Sequence, residues 1–134
     1  MKKILFALLA VCAVSLSFTS CNSMADPEKE PVANRQFYME DASGYSEFRF
    51  HMDHSLTLFV RTATVPVQET ENSLFVWSMN KMNVIVKGAN GTNFAGKVFF
   101  SGEYDPDAKT ITGTVTNIVN GDTAPAVLKE KVNN

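Results

Sequence analysis

Cysteine is nearly missing from this chain: Cys12 and Cys21 are the only two in 134 residues, and both fall near the amino terminus. A disulfide scaffold is excluded, and so is a cysteine nucleophile in the body of the chain. Clusters of positive charge are absent too. Twelve Lys and Arg stand against fourteen Asp and Glu, a formal charge of −2, and Arg35, Arg49, Arg61, Lys81, Lys87 and Lys97 are scattered. No basic face for a nucleic acid partner results. No apolar run approaches the roughly 20 residues of a membrane-spanning helix. After residue 35 there is no convincing helical periodicity, and no Gly-x-Ser-x-Gly of a serine hydrolase. The reading is therefore not an enzyme, and no cofactor is expected.

What is present begins with a secretory leader at residues 1–20. Lys2 and Lys3 open it, "ILFALLAVCAV" is its apolar middle, and Ser15 to Ser20 its more polar end. Losing it leaves ten basic residues against fourteen acidic, or −4. "FTSC", Phe18 to Cys21, resembles the lipobox of bacterial lipoproteins, in which the cysteine sulfur carries a diacylglyceryl group and becomes the first mature residue. Cys21 is then a lipidation site and the sole thiol of the mature chain. An ordinary cleavage after Ala25 is the competing reading. Acyl chains attach a protein to a bilayer at about 0.8 kcal/mol per buried methylene. Asn22 is not the aspartate that retains lipoproteins in the inner membrane, so the resemblance implies an outer membrane lipoprotein, facing the periplasm or the cell surface. Residues 21–34 read as the lipidated cysteine and a flexible tether, with two prolines and the acids Asp26, Glu28 and Glu30.

From residue 35 to 134 the pattern is strand-like, of period two. In "SEFRFHM", Phe48, Phe50 and Met52 share one face, with Glu47, Arg49 and His51 on the other. Leu56, Leu58 and Val60, then Met82, Val84 and Val86, then Phe94, Val98 and Phe100, then Ile111 and Val115 continue the inward face. "MDHS", "NGT", "DPDAK" and "NGD" are the turns between runs, and the final "AVLKEKV" reads as a strand. Roughly eight strands joined by short turns give an all-β antiparallel meander, which removes its edges by closing into a small barrel. A two-sheet sandwich is the alternative.

The stretch "FRFHMDHSLTLFV … FVWSMNKMNVIVKG … GKVFFSGEYDPDAKTITGTV" is similar to the small lipocalin-like or calycin-like lipoproteins of Bacteroidota-type bacteria. Those have a lipid-attached cysteine, a polar or acidic spacer and a meander barrel. The resemblance implies a small apolar or amphipathic ligand, and Phe75, Trp77 and Tyr104 are the candidate contacts at the barrel mouth. The many large aromatic residues fill a small barrel and leave room for a shallow site only. The second reading is a protein-interaction or envelope-structural module, in which outward Phe59, Ile85 and Phe99 form an apolar patch for a partner.

Other signals are weaker. His51, Asp53 and His54 spell "HMDH", but the pair lies on a strand and its turn, and no third or fourth ligand accompanies it, so no metal is assigned. His54 occupies a turn position where histidine tolerates positive φ. Glu103, Asp105 and Asp107 fall short of the six oxygens of a calcium loop, and Pro106 accounts for the turn. "DTA" matches the short O-glycosylation motif of exported proteins in these bacteria, with Thr123 as acceptor.

Overall fold

The computed structural model describes residues 24–42, 44–62, 68–70 and 73–132; the leader and Cys21 lie outside them. The strands are β1 (Arg35–Asp41), β2 (Gly44–Phe50), β3 (Ser55–Thr62), β4 (Gln68–Glu69), β5 (Phe75–Asn80), β6 (Asn83–Gly88), β7 (Val98–Asp105), β8 (Thr110–Thr116) and β9 (Thr123–Glu130). All but β4 form one antiparallel sheet in which each strand pairs with the next, and β1 closes onto β9. The result is an eight-stranded meander barrel, not a sandwich. The two-residue β4 is an extra strand on the outside, paired only with β3 through Phe59↔Glu69 and Val60↔Gln68. Closure is brief: Phe37↔Glu130 and Tyr38↔Lys129, extended by the Lys131 amide donating to the Gln36 carbonyl at 2.8 Å.

Alternation decides what fills the barrel. Phe37, Phe48, Phe50, Leu56, Phe100, Ile111 and Leu128 are all fully buried. Their rings meet edge to face, Phe37 on Phe50 at 5.7 Å and Phe48 on Phe100 at 5.5 Å, a favoured arrangement of aromatic quadrupoles. Gly102 and Gly113 face each other across β7 and β8. A Cβ on Gly102 would stand 2.9 Å from the Phe100 ring and 3.0 Å from Ile111. The missing side chain of Gly102 makes room for those two large ones, and that of Gly113 lets the β7 backbone at Ser101 and Gly102 approach.

Three expectations need correction. Val98 is outward and 41% exposed, whereas Phe99 points in, stacking on Phe48 at 6.0 Å and tilted against Phe75 at 5.1 Å. The cause is a bulge: Val86 pairs with Phe100 but Lys87 with Val98, so one residue is skipped. An extra residue inverts the alternation on one side of the bulge. Met82 is exposed in the turn between β5 and β6 rather than inward. Finally, residues 24–34 fold onto the barrel. Val32, Ala33 and Ala25 are buried in the core, the Ala25 amide donates to the Met52 carbonyl at 2.6 Å, and the Asn34 amide to that of Phe50 at 2.7 Å. Polar composition concealed three small apolar plugs.

The turns use local chemistry. Asp53 Oδ1 accepts from the Ser55 amide and hydroxyl, and His54 takes φ 69°. Asp105 Oδ1 accepts from the amides of Asp107 and Ala108. Asn117 and Asn120 do the same in the β8–β9 turn, where Gly121 takes φ 82°. Such side chains replace backbone partners that turns leave unpaired.

Candidate functional site

A meander puts successive turns at alternate ends. The β2–β3, β5–β6 and β7–β8 turns lie at one end with residues 24–34, and the β1–β2, β6–β7 and β8–β9 connections lie at the other. The first end is shut. Trp77 is 2% exposed there, its ring 5.6 Å from Phe50 and 4.8 Å from His54, and its Nε1 donates to the His51 carbonyl. His54 Nε2 meets Glu30 Oε2 at 2.8 Å, which ties the turn to the covering segment.

The opposite end carries a groove of about 480 Å³ beneath the β8–β9 turn. Phe99, Val115, Ile118 and Ala124 supply its apolar lining; Thr116, Asn117, Asp122 and Thr123 bring polar groups. Val119, on the same turn, is 91% exposed. The inward turn of Phe99 is what places an aromatic ring at this groove. Sequence reasoning missed it because Phe99 and Phe100 are identical residues, and alternation alone assigns the pair to opposite faces.

The candidate ligand contacts lie elsewhere. Phe75, Trp77 and Tyr104 are all buried core residues. Phe75 lies behind the groove, against Phe99 and Phe94. Trp77 belongs to the shut end. Tyr104 packs on Phe37 at 5.8 Å and its hydroxyl receives Arg35 Nη1 at 3.3 Å; burial is the main cause that raises its pKa. The three do not surround one site. Neither do Phe59, Ile85 and Phe99 make one outward patch. Phe59 faces out on β3 under the Arg49 guanidinium, 3.9 Å from the ring centroid; Ile85 is half-buried on β6 opposite Ser78 and Ser101; Phe99 is inside. Thr123 is exposed at the start of β9, on the groove. Cys21 is outside the described residues.

The histidines have separate partners: His51 Nε2 meets Thr57 Oγ1 at 2.6 Å, and His54 meets Glu30. Among the described residues, no three His, Cys, Asp or Glu side chains converge as a metal set.

A second feature lies on the outer wall of β1, β2 and β3. Glu47 points outward yet is 2% exposed. Its carboxylate accepts from Tyr45 Oη at 2.6 Å, Arg49 Nε at 2.6 Å and Lys131 Nζ at 2.7 Å. Burial opposes its ionisation, but these three hydrogen bonds outweigh burial and lower its pKa from 4.5 to about 2. Tyr38 stacks on Tyr45, and Arg61 lies over the Tyr45 ring. The signal was partly available: Glu47 stands opposite Tyr38 and Phe59 once the hairpin registers are drawn. Lys131, arriving from the far end of the chain, was not foreseeable.

The fold defines a small all-β protein with a closed eight-stranded antiparallel barrel, consistent with a calycin-like fold. No family model matches the chain, and no curated protein or solved structure matches it significantly.

Proposed function

We propose that this chain is a lipid-anchored, extracytoplasmic, lipocalin-like module that binds a small apolar or amphipathic ligand at the open end of its barrel. The observation that carries the reading is the groove of about 480 Å³ over Phe99, Val115 and Ile118. Small-molecule sites are concave and mainly apolar, with a few polar groups that fix orientation. Thr116, Asn117 and Asp122 meet that description. The interior is filled by rings, so the ligand lies across the mouth rather than inside.

The anchor follows from the leader and Cys21. Ala25 is already packed against the barrel, and the four steps from Cys21 to Ala25 span at most roughly 14 Å. Acyl chains on Cys21 would hold the shut end near the bilayer and leave the groove facing away. By the Asn22 argument the membrane is the outer one.

Native mass spectrometry of the chain isolated from its own host, released from the membrane in mild detergent, tests the ligand. A bound apolar mass is expected, and Ile118→Asp should remove it without altering the fold. A wild-type chain that carries nothing, and whose groove amides are unmoved by dodecanoate in NMR titration, overturns the reading. Metabolic palmitate labelling that disappears in Cys21→Ser is expected for the anchor.

A further inference from the structure

Glu47 and its neighbours form more than a structural salt bridge. A hollow of about 340 Å³ opens beside them on the outer wall, lined by Tyr45, Arg49, Phe59, Val60, Arg61 and Lys131, with the Glu47 carboxylate at its base. Three cations face it against the single buried anion Glu47. Among the described residues, Glu40 receives Arg61 Nη2 at 3.3 Å at the edge, both side chains being more than half exposed, and Glu69 stands opposite Phe59 on β4.

The donors are arranged and partly unused. Arg49 spends only Nε on Glu47, and its terminal nitrogens have no hydrogen-bond partner among the described residues. Lys131 gives one hydrogen bond to Glu47 at 2.7 Å and also interacts with the Tyr45 hydroxyl, which leaves part of its three-donor capacity for a ligand. The Arg49 guanidinium carbon lies 3.9 Å from the centroid of Phe59, and that of Arg61 5.3 Å from the centroid of Tyr45. Stacking fixes the plane of a guanidinium while its edge stays available, and that edge matches the two oxygens of a carboxylate or phosphate. Glu47, 2% exposed at the base of the hollow, orients Arg49 and Lys131. An adjoining hollow of about 440 Å³ shares Tyr45 and Lys131 and is walled by Tyr38, Glu130 and Val132.

We propose that this wall is an anion-recognition site for a small molecule bearing a phosphate or carboxylate group, gripped by Arg49, Arg61 and Lys131, with its organic part along Tyr38 and Tyr45. The site is separate from the apolar groove: no residue lines both.

Calorimetric titration of the mature chain with inorganic phosphate, at ionic strength held constant with chloride, tests it. Saturable one-to-one binding is expected. Arg61→Gln, which leaves the Glu47 network intact, should weaken it at least fivefold, with an unchanged thermal melt. Arg49→Lys keeps the charge but loses the fork, and should also weaken it. Vesicles of phosphatidylglycerol against phosphatidylcholine form the second arm. Binding of free phosphate assigns a soluble ligand; binding of the anionic vesicles alone, lost in the same variants, assigns a lipid headgroup. Response to neither probe, or wild-type affinity in Arg61→Gln, overturns the proposal.

Discussion

At one end of the barrel Trp77 is sealed beneath His54 and residues 24–34; at the other, Phe99 stacks on Phe48 and leans on Phe75 but keeps part of its ring towards a groove. Both ends are built from aromatic rings on the same sheet. Among the described residues they differ in what lies above the rings. At the shut end Val32 and Ala25 add apolar cover, and the Glu30–His54 contact and the amide of Ala25 hold that cover in place. At the open end the β8–β9 turn is held by its own asparagines and presents Val119 to water. A barrel too small to hold a ligand inside can still bind one where its last layer of rings is left uncovered. The two ends should therefore divide stability and binding between them.

Removing Trp77 is the most severe test of that division. Trp77→Ala deletes the contacts with Phe50 and His54 and removes one of the two donors to the His51 carbonyl, which keeps the His54 amide. A loss of about 3–5 kcal/mol is expected in urea unfolding. A loss below about 1 kcal/mol would mean that the covering segment contributes little order to that end.

The side wall shows whether burial outside the barrel matters as burial at its shut end does. Glu47 titrates at about 2 in the folded chain against a reference of 4.5. Because the folded value is the lower one, unfolding takes up a proton between those two pH values. Stability from this group is fully present above pH 4.5 and drains away as the pH falls towards 2. The amount is roughly 3 kcal/mol. Acid unfolding of Glu47→Gln should lack that part of the pH dependence, which urea titrations at pH 3 and pH 6 compare directly.

How much of this was legible beforehand follows the same line. Phe48, Phe50, Leu56, Leu58, Val84, Val86 and Ile111 alternate cleanly, so their inward direction and the meander are in the sequence. The positive φ of His54 was legible too, since a tight turn between two alternating runs leaves few other conformations. Alternation failed at Val98 and Phe99, because a bulge changes the phase without changing the composition. Composition failed at residues 24–34, where Val32 and Ala25 are too small and too isolated to mark a packed segment. Both failures fall at barrel ends, and one of them hid the groove.

The groove's own residue gives a middle-sized effect. Phe99 is half-buried, so Phe99→Ala should cost about 2 kcal/mol, clearly less than the fully buried Trp77. It should also reduce uptake of an apolar probe at least tenfold, whereas Trp77→Ala, where still folded, should leave uptake near wild type. Dodecanoate titration followed by NMR separates the two. Equal losses of binding in both variants would erase the distinction between the ends.

The smallest effects test whether the turns at the two ends share one backbone requirement. Gly121 at the open end has φ 82°, and a Cβ there would meet nothing within 4 Å. Lys81, in the β5–β6 turn at the shut end, has φ 57° with a side chain in place. Left-handed backbone disfavours L-residues through their own Cβ and not through neighbours. Gly121→Ala should therefore destabilise by about 1 kcal/mol although it adds no clash. Lys81→Gly should gain about 0.5 kcal/mol, the relief being offset in part by a freer unfolded chain. Thermal melts of the two variants should shift in opposite directions. A silent Gly121→Ala would mean that the β8–β9 turn relaxes to negative φ, making the open end the softer one and giving the groove a wall that moves to admit its ligand.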